Sequence, residues 1–583
     1  MTIKRRVIYG ESNYAAIVRK DGYFVDKTEY IAKLEAIENP VFLRPRRIGK
    51  SMFCSLLRYY YDLNEAAHFD ELFGQTWIGQ HPTPSHNQYI LLFFNFSVVH
   101  VGRTVGEIEH SFKNHCNTTL DALRTVYPTL LGEMPALAMA DAVSDNLEKL
   151  LTYIQSNRLP PVYVIIDEYD NFANQLITGN RDLHYQELTA ADGFLKTFFK
   201  TLKAGRERAA IANLFITGVL PITIDELASA FNIATFLTLE PAFESMLGFT
   251  QAEVDHLLDE IYREHEVDPA TRNEVNALIK SNYNGYHFVD PGGEALYNST
   301  ILIYFLRYFV QYKEIPEALT DLNLKTDLSW VRRITSARPG DTEEFVSQLT
   351  YENQIAYDRD FLISKFDMSQ FFDKGFYPIS FFYLGLLTKA DRFYMRLPNL
   401  NLRQIFVQYF NELHHIDVST RYAELMQSFV NEPNLERLFA GYWQHYISQL
   451  PEVLFQQVNE NFYRTTFFEL CSRYLSPWFT WNIERSYPQG KSDPFDKLRA
   501  SLEFVGKYHE KFAGLRWVIE FKYLSNSKMQ TEKINIERFE LRVEDIEQIQ
   551  GYTHGLRQEY PEAQVALFVI YCFGNQGFRV FAL

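Results

Sequence analysis

Short apolar runs alternate with helical patterns over the first 240 residues. The runs predict strands at 41–43, 89–98, 162–166, 213–217 and 234–239. Between them apolar residues recur every three or four positions, as they do on amphipathic helices. Strands that alternate with helices in this way are typical of an α/β domain with a mostly parallel sheet. We assign residues 1–240 to such a domain.

The pattern after residue 240 is helical. Thr250 precedes an apolar run and Glu253 follows three residues later, which is the signature of a capping box. We interpret residues 241–340 as a helical lid. Residues 341–450 are also rich in helical patterns, but two short apolar runs at 384–388 and 393–397 predict a hairpin, after which Pro398 and Asn399 open a new helix. This order of helices and hairpin is typical of a winged helix.

The last 133 residues, 451–583, form a second α/β pattern. It predicts helices at 462–474 and 543–558 and strands at 502–505, 517–521, 564–571 and 577–582. The chain contains no internal repeat and no long Gly/Ser linker, so we expect its domains to pack against one another.

Composition excludes several classes of protein. Hydrophobic residues make up 46% of the 583 and charged residues 22%, which excludes disorder on a large scale. The four cysteines are far apart, so the spacing predicts neither a disulfide framework nor a zinc site, and we expect a reducing, cytoplasmic setting. No apolar run reaches the roughly 18 residues of a spanning helix, so we expect no membrane role. The net charge of −16 confines any nucleic-acid contact to a local surface.

Gly49-Lys50-Ser51 follows a predicted strand and opens a predicted helix. In a phosphate-binding loop, backbone N–H groups at a helix N-terminus face the phosphates, the lysine contacts the β and γ oxygens, and the hydroxyl holds Mg²⁺. Arg44 occupies the position of the usual first glycine, and Arg46 and Arg47 follow it. Arginines there would attract a polyphosphate. The tripeptide by itself arises by chance in roughly a quarter of chains of this length.

Two carboxylates strengthen the nucleotide-site hypothesis. Asp167 and Glu168 end the strand predicted at 162–166. Asp167 would hold Mg²⁺ and Glu168 would polarise the attacking water, as in ATP hydrolysis. The alternative is a buried strand that ends in a solvated acidic turn. Thr217, at the end of the next strand, either contacts the γ-phosphate or water, or satisfies backbone groups at a turn.

Six motifs, taken in their order along the chain, resemble those of a known protein family. They are Gly22-Tyr-Phe-Val-Asp-Lys-Thr28, Leu43-Arg-Pro-Arg-Arg-Ile-Gly-Lys-Ser51, Ile166-Asp-Glu-Tyr-Asp170, Ile216-Thr-Gly218, the run 243–250 and Tyr283-Asn-Gly-Tyr-His-Phe288. In this order they resemble the prokaryotic AAA-ATPase-like family, whose members commonly carry a C-terminal PD-(D/E)xK nuclease-like domain. The resemblance implies ATP and Mg²⁺ as cofactors. The family itself has Arg-Pro-Arg-Arg in place of the usual glycine, and residues 283–288 suggest packing rather than catalysis.

The C-terminal region carries a second group of chemical residues. Glu520 and Lys522 lie two apart on a predicted strand and therefore share one of its faces. Phosphodiester cleavage needs carboxylates for Mg²⁺ and a cation that orients water. With Asp493 upstream they resemble the metal triad of the PD-(D/E)xK superfamily. The structural alternative is an exposed ion pair on an edge strand.

Accessory positions extend this resemblance. Gln548 and Tyr552, one helical turn apart, match the Gln-xxx-Tyr pattern of the superfamily, and Glu460 corresponds to an additional acidic residue of some members. Residues 494–501 look inserted after Asp493. If the insertion displaces Asp493, then Asp496 or Glu503 substitutes for it, or the site fails.

The sequence therefore predicts a P-loop NTPase with a parallel sheet and helical lid, a winged-helix-like middle region, and a restriction-endonuclease-like α/β domain. We expect an ATPase whose nucleotide state controls a Mg²⁺-dependent nuclease acting on DNA or RNA. The rival hypothesis is a nucleotide-switched interaction platform with an inactive nuclease-like domain. A homo-oligomer is left open.

Overall fold

The computed structural model describes residues 4–100, 102, 104–171, 175, 193–221, 231–319, 339–363, 368–371, 373–418, 422–483, 501–508 and 510–583. Within these residues the chain is mixed α/β and contains three sheets. Its strands are β1 Pro40–Leu43, β2 Ile90–Asn95, β3 Val162–Asp167, β4 Ile211–Gly218, β5 Thr235–Phe236, β6 Ile355–Ala356, β7 Thr388–Lys389, β8 Tyr394–Arg396, β9 Phe479–Ile483, β10 Ser501–Gly506, β11 Leu515–Leu524, β12 Gln564–Phe573 and β13 Gly577–Ala582.

Helices surround these sheets. Those of the N-terminal half are α1 Tyr14–Arg19, α2 Glu29–Glu35, α3 Lys50–Tyr61, α4 Phe69–Phe73, α5 Trp77–Gln80, α6 Val105–Val126, α7 Pro128–Leu131, α8 Val143–Ser156, α9 Phe194–Glu207, α10 Gln251–His265, α11 Arg272–Tyr283 and α12 Ser299–Tyr312. Those of the C-terminal half are α13 Pro339–Glu352, α14 Arg359–Ile363, α15 Met368–Phe371, α16 Tyr377–Tyr383, α17 Leu400–Leu413, α18 Ala423–Asn431, α19 Leu435–His445, α20 Glu460–Leu475, α21 Asn526–Glu532 and α22 Val543–Glu559.

The first sheet is parallel throughout, in the order β2-β3-β4-β1-β5. Its four longer strands are almost completely buried, which is why they read as continuous apolar runs in the sequence. The strand predicted at 89–98 ends at Asn95, because residues 96–98 form a 3₁₀ turn. The Asn95 side chain caps the N-terminus of this turn. The predicted strand at 234–239 shrinks to the two residues of β5.

Three helices follow the sheet along the chain in the predicted lid region. The first of them, α10, begins with the predicted capping box, in which Thr250 accepts from the Glu253 N–H and the Glu253 carboxylate accepts from the Thr250 N–H. The lid contacts the loop after β1 directly. Gly248 donates to the Ile48 carbonyl at 3.1 Å, and Thr300 donates to the Arg47 carbonyl at 3.1 Å.

The middle region contains a small antiparallel sheet in the order β6-β8-β7. The predicted strand at 384–388 is wrong for residues 384–387, because Gly385 turns the chain with a φ of +77° and packs against Pro45. Asn399 caps α17 as predicted. This helix packs against α13 and α20 and is largely buried.

The C-terminal sheet has the order β13-β12-β11-β10-β9, with β11 and β12 parallel and the other pairs antiparallel. The sequence analysis missed β9 and α21. Helix α22 packs on β12, and α20 packs on β11. A single apolar core runs from Tyr14 through the middle region to Cys572, so the regions share buried surface. A second, smaller core lies under α22.

None of the helices in the described part of the chain is long and apolar enough to cross a lipid bilayer.

Candidate functional site

The turn from β1 into α3 has the geometry of a phosphate-binding loop. Gly49 is the N-cap of α3 and has a φ of +103°, a conformation that only glycine adopts readily. Lys50 is buried, and its ammonium donates to the carbonyls of Arg44 at 2.9 Å and Pro45 at 2.7 Å. The lysine therefore contacts its own loop, through bonds that phosphate oxygens can replace.

The strand order brings Asp167 to this loop. β4 lies between β1 and β3, and the carboxyl ends of parallel strands share one edge of a sheet. Burial raises the pKa of Asp167, whereas the nearby Ser51 hydroxyl and Lys50 ammonium lower it. Asp167 Oδ1 is buried and has no hydrogen-bond partner among the described residues. An orphaned carboxylate oxygen beside a serine hydroxyl is a donor set that suits Mg²⁺.

Glu168 follows Asp167 with a φ of +53°, which is unusual for a residue with a side chain. Its side chain lines the cavity in front of the loop. Burial raises the pKa of Glu168, and the charge of Asp167 raises it further. A carboxylate held in this way can accept a proton from water more readily than an exposed glutamate.

Gly218 and Asp170 hold this edge of the sheet. The Asp170 carboxylate accepts from the N–H groups of Val219 and Leu220, at 3.1 and 2.7 Å. A Cβ at Gly218 would lie 2.4 Å from Asp170 Oδ1, so only glycine leaves room for this contact.

Thr217 is buried, and its hydroxyl donates to the Phe42 carbonyl at 2.9 Å. Such a bond to a backbone carbonyl is what we expect if Thr217 satisfies backbone groups rather than contacting phosphate or water.

Arg44 differs from the expectation that the arginines of the loop meet phosphate. Its guanidinium is buried, donates to the carbonyls of Leu43 and Thr238, and stacks on the rings of Phe42 and Phe288. Arg44 therefore joins the loop to the lid. Arg46 and Arg47, in contrast, line the cavity beside Gly49, Lys50 and Ser51.

The cavity in front of the loop measures about 430 Å³. Besides the loop, its walls come from the N-terminal segment, including Tyr9 and Phe24, and from the lid, including Phe249 and Ile303. The segments around Phe24 and Phe249 belong to the sequence motifs, and the cavity gives both of them a place in its walls. Lys27 in the first of them bonds the Glu253 carboxylate of the capping box at 2.6–2.7 Å, which ties the N-terminal segment to the lid.

The C-terminal site lies on β11. Glu520 is completely buried, so it is not part of an exposed ion pair. Its Oε1 accepts from Gln548 Nε2 at 3.1 Å, and its Oε2 has no hydrogen-bond partner among the described residues. Burial raises the pKa of Glu520 to about 7 against the opposing charge of Lys522, and Glu460 raises it further. The free oxygen of Glu520 suits a hard divalent cation.

Lys522 belongs to a small network. Its ammonium lies 3.5 Å from Glu520 Oε1 and 3.1 Å from Asp545 Oδ1, and it donates to Gln548 Oε1 at 2.8 Å. Burial lowers the pKa of Lys522, but the charges of Glu520 and Asp545 outweigh this and hold it above its ordinary value. The sequence analysis missed Asp545, although it lies one helical turn before Gln548 on α22.

The other predicted residues occupy different surroundings. Glu460 begins α20, accepts from the Tyr523 N–H at 3.2 Å, and is close enough for its charge to raise the pKa of Glu520. Asp493 and Asp496 lie outside the described residues, as does the side chain of Tyr552.

The pairing of β10 with β11 shows which residue lies opposite Glu520, where a second metal-binding carboxylate could stand. Ser501 faces Glu520 directly across the strand pair. Glu503, the proposed substitute, is buried and bonded to Arg516 at 2.6 Å and Asn482 at 2.8 Å. No group of three or more His, Cys, Asp or Glu side chains within the described ranges is arranged to hold a metal ion. The described residues by themselves therefore do not form a three-ligand metal site around Glu520.

Comparison with known families agrees with this geometry. Residues 8–228 match the AAA-ATPase-like family, described as a predicted AAA-ATPase. Residues 458–582 match the PD-(D/E)XK nuclease superfamily. No curated protein matches the chain. The chain thus joins an N-terminal AAA-ATPase-like domain to a C-terminal domain of the PD-(D/E)XK nuclease superfamily.

Proposed function

We propose that the N-terminal domain binds and hydrolyses ATP and that its nucleotide state controls a Mg²⁺-dependent nuclease in the C-terminal domain, acting on DNA or RNA. The observation that carries the proposal is a parallel between the two sites. Each holds a buried carboxylate with one unpartnered oxygen, Asp167 Oδ1 and Glu520 Oε2, beside a lysine. Buried, unsatisfied carboxylate oxygens are costly unless a cation binds them.

At the first site the Lys50 ammonium exchanges its two carbonyl partners for the β and γ oxygens of ATP. Arg46 adds positive charge beside the cavity, and Ser51 and Asp167 would hold Mg²⁺, which would neutralise phosphate charge. Glu168 orients a water for attack on the γ-phosphorus. The bond to the leaving ADP oxygen breaks, and the proton of the water passes to Glu168 and then to solvent. We place the adenine base of ATP in the part of the cavity that Tyr9 and Ile303 line.

At the second site Glu520 and Asp493 would hold Mg²⁺, which would neutralise charge at the phosphodiester and lower the pKa of bound water. Lys522 orients the attacking water toward phosphorus; the P–O bond to the departing sugar oxygen breaks, and the proton of the water passes to solvent. Gln548 donates to Glu520 and accepts from Lys522, so one amide fixes the separation of both groups. Such fixed positions account for much of the rate that a phosphoryl-transfer site provides.

Cleavage assays of labelled single- and double-stranded DNA and RNA with Mg²⁺ or Mn²⁺, with and without ATP, test the proposal. We expect Glu520→Gln to lower cleavage by about 100-fold or more, since removal of a metal-holding carboxylate removes charge stabilisation in the transition state. Lys50→Ala should abolish ATP hydrolysis and the effect of ATP on cleavage. Glu562→Gln and Lys200→Ala, both at exposed positions, are the matched controls.

The register of β10 favours a second candidate, a nucleotide-switched platform with an inactive nuclease-like domain. Ser501 occupies the position directly opposite Glu520, where a carboxylate would complete a metal pair. ATP hydrolysis without cleavage of any substrate, under every metal condition, would select this candidate.

A further inference from the structure

A second cavity lies where three regions of the chain meet. It measures about 490 Å³, slightly more than the cavity at the phosphate-binding loop. Its walls come from the lid at Asn282 and 317–319, from α17 of the middle region, and from α20, β9 and Lys507 of the C-terminal domain. Neither of the two sites described above includes it. Cavities of this size at domain junctions are common places for small ligands.

Lys507 lines this cavity and is only 5% exposed. Among the described residues its ammonium makes one hydrogen bond, a long one of 3.4 Å to the Pro316 carbonyl, and it has no carboxylate within ion-pair distance. Burial lowers the pKa of Lys507 to about 8, against the more distant charges of Glu317, Glu510 and Glu274. A buried ammonium without a counter-charge is unfavourable, and an anion bound beside it would offset that cost.

Two more donors line the same cavity. Trp481 is 5% exposed, and its Nε1–H is buried with no acceptor among the described residues. Arg473, whose side chain is 30% exposed, bonds the buried Glu469 through Nε at 2.5 Å, and its two terminal amines are open to solvent and have no described partner. The one acidic side chain among the described lining residues, Glu317, is exposed. Two buried donors at this wall, the Lys507 ammonium and the Trp481 Nε1–H, therefore lack a charged partner among the described residues.

We propose that this cavity is a second anion site, which binds a phosphate-bearing ligand of nucleotide size. The Lys507 ammonium and the terminal amines of Arg473 bind phosphate oxygens, and the Trp481 indole donates to one of them. Charge-assisted bonds from a lysine and an arginine fork are the usual protein contacts of phosphate. The Gln404 amide oxygen, whose nitrogen donates to Ser472 at 2.8 Å, supplies a neutral acceptor for the remainder of the ligand. The proposal is independent of ATP hydrolysis and of cleavage.

Titration of the full-length chain with pyrophosphate and with ADP, followed by calorimetry and tryptophan fluorescence, tests it. A Lys50→Ala background removes binding at the phosphate-binding loop, so that the junction cavity is seen alone. We expect saturable binding there with a Kd of ~1 mM or below. Lys507→Met should weaken it at least tenfold, and Trp481→Phe should weaken it and remove the fluorescence change. Lys528→Met, an exposed lysine of the same domain, is the matched control.

The thermal midpoint of each variant shows whether it folds. Lys507→Met keeps most of the side-chain volume and removes a buried charge, so we expect its midpoint to be no lower than that of the parent. Trp481→Phe keeps an aromatic ring in the core. If Lys507→Met fails to fold, ligand binding by the Trp481→Phe variant tests the proposal instead. The proposal is wrong if the Lys50→Ala chain binds neither probe, or if Lys507→Met and Lys528→Met bind them equally.

Discussion

At the scale of single residues, Asp545 changes the picture of the C-terminal site most. It is buried, contacts Lys522 through one carboxylate oxygen, and accepts the Tyr571 hydroxyl through the other. Glu520 and Asp545 therefore hold the Lys522 ammonium between them. If the domain cleaves phosphodiesters as proposed, Asp545 would position the lysine rather than bind a metal or the scissile phosphate.

We expect Asp545→Asn to lower the cleavage rate by about 10- to 100-fold at neutral pH, as displacement of a positioned group does. Because the Asp545 charge raises the pKa of Lys522, its loss should also move the alkaline limb of the pH–rate profile to lower pH. The measurement is single-turnover cleavage from pH 6 to 10.

Glu544→Gln is the matched control, since Glu544 is the neighbouring acid on α22 and its side chain is 74% exposed. A pH–rate profile of Asp545→Asn that coincides with the profile of Glu544→Gln would contradict the positioning role.

At the scale of elements, residues 283–288 explain how the lid joins the middle region. Gly285 has a φ of +105°, and a Cβ there would lie 2.0 Å from the Pro398 carbonyl oxygen. The Asn284 carbonyl accepts from Asn399, which caps α17. Phe288 stacks under the guanidinium of Arg44. This motif therefore connects α11, α17 and the phosphate-binding loop by packing, as the sequence analysis expected.

Gly285→Ala should destabilise the protein by about 2 kcal/mol or more, because alanine strains the backbone and its Cβ meets a carbonyl that cannot move freely. The thermal midpoint measures this loss. Gly106→Ala is the control, since a Cβ at that helical position meets nothing within 4 Å and should stabilise α6 by up to about 1 kcal/mol. Equal midpoints for the two variants would contradict the packing argument.

The contact between α11 and the C-terminal sheet predicts a pH dependence. Burial raises the pKa of Glu274 to about 7, although Arg516 and Lys507 of the C-terminal domain lower it. An acid whose pKa is higher in the folded protein binds more protons there than in the unfolded chain. Its contribution to stability is therefore lost as the pH rises from about 4.5 to 7.

Glu274→Gln should remove this contribution. The thermal midpoint of the variant, relative to that of the parent, should rise steadily between pH 5 and 7 and then stay constant up to pH 8. Glu510→Gln, an exposed acid beside the same strands, is the control. If the difference in thermal midpoint between Glu274→Gln and the parent does not change with pH, then Glu274 titrates as an ordinary exposed glutamate.

At the scale of the whole molecule, one route of direct contact joins the ATPase-like domain and its lid to the middle region. Thr388 on β7 is completely buried, and its hydroxyl bonds both backbone groups of His287, accepting at 2.6 Å and donating at 3.0 Å. Pro45 of the phosphate-binding loop packs on Gly385 just before this strand. A movement of the loop on nucleotide binding would therefore reach the hairpin first.

If the nucleotide controls cleavage along this route, Thr388→Val should reduce the effect of ATP on cleavage several-fold and leave ATP hydrolysis largely intact. Valine keeps the shape but leaves the buried His287 N–H without an acceptor, at a cost of about 1–3 kcal/mol. Parallel ATPase and cleavage assays measure the two effects. Thr350→Val, which removes only a bond within α13, is the control. An unchanged ATP effect in Thr388→Val would exclude this contact from the coupling.

The sequence by itself determined the elements that local patterns encode. Buried parallel strands read as apolar runs, Gly49-Lys50-Ser51 marks the turn into α3, and the spacing of Glu520 and Lys522 places both on one face of β11. These features depend on residues within a few positions of one another. The families of both terminal domains could be inferred for the same reason, because their motifs are short and keep their order.

Only the tertiary structure decided which distant residues meet. It turned Arg44 toward the lid instead of the phosphate site, brought Asp545 to Lys522, and placed Ser501 opposite Glu520. It also brought Lys507, Arg473 and Trp481 to the walls of one cavity. Strand order, register and packing between regions fix these contacts, and none of them leaves a periodic trace along the chain. Their energies come from burial and charge, which depend on the surroundings that the fold provides.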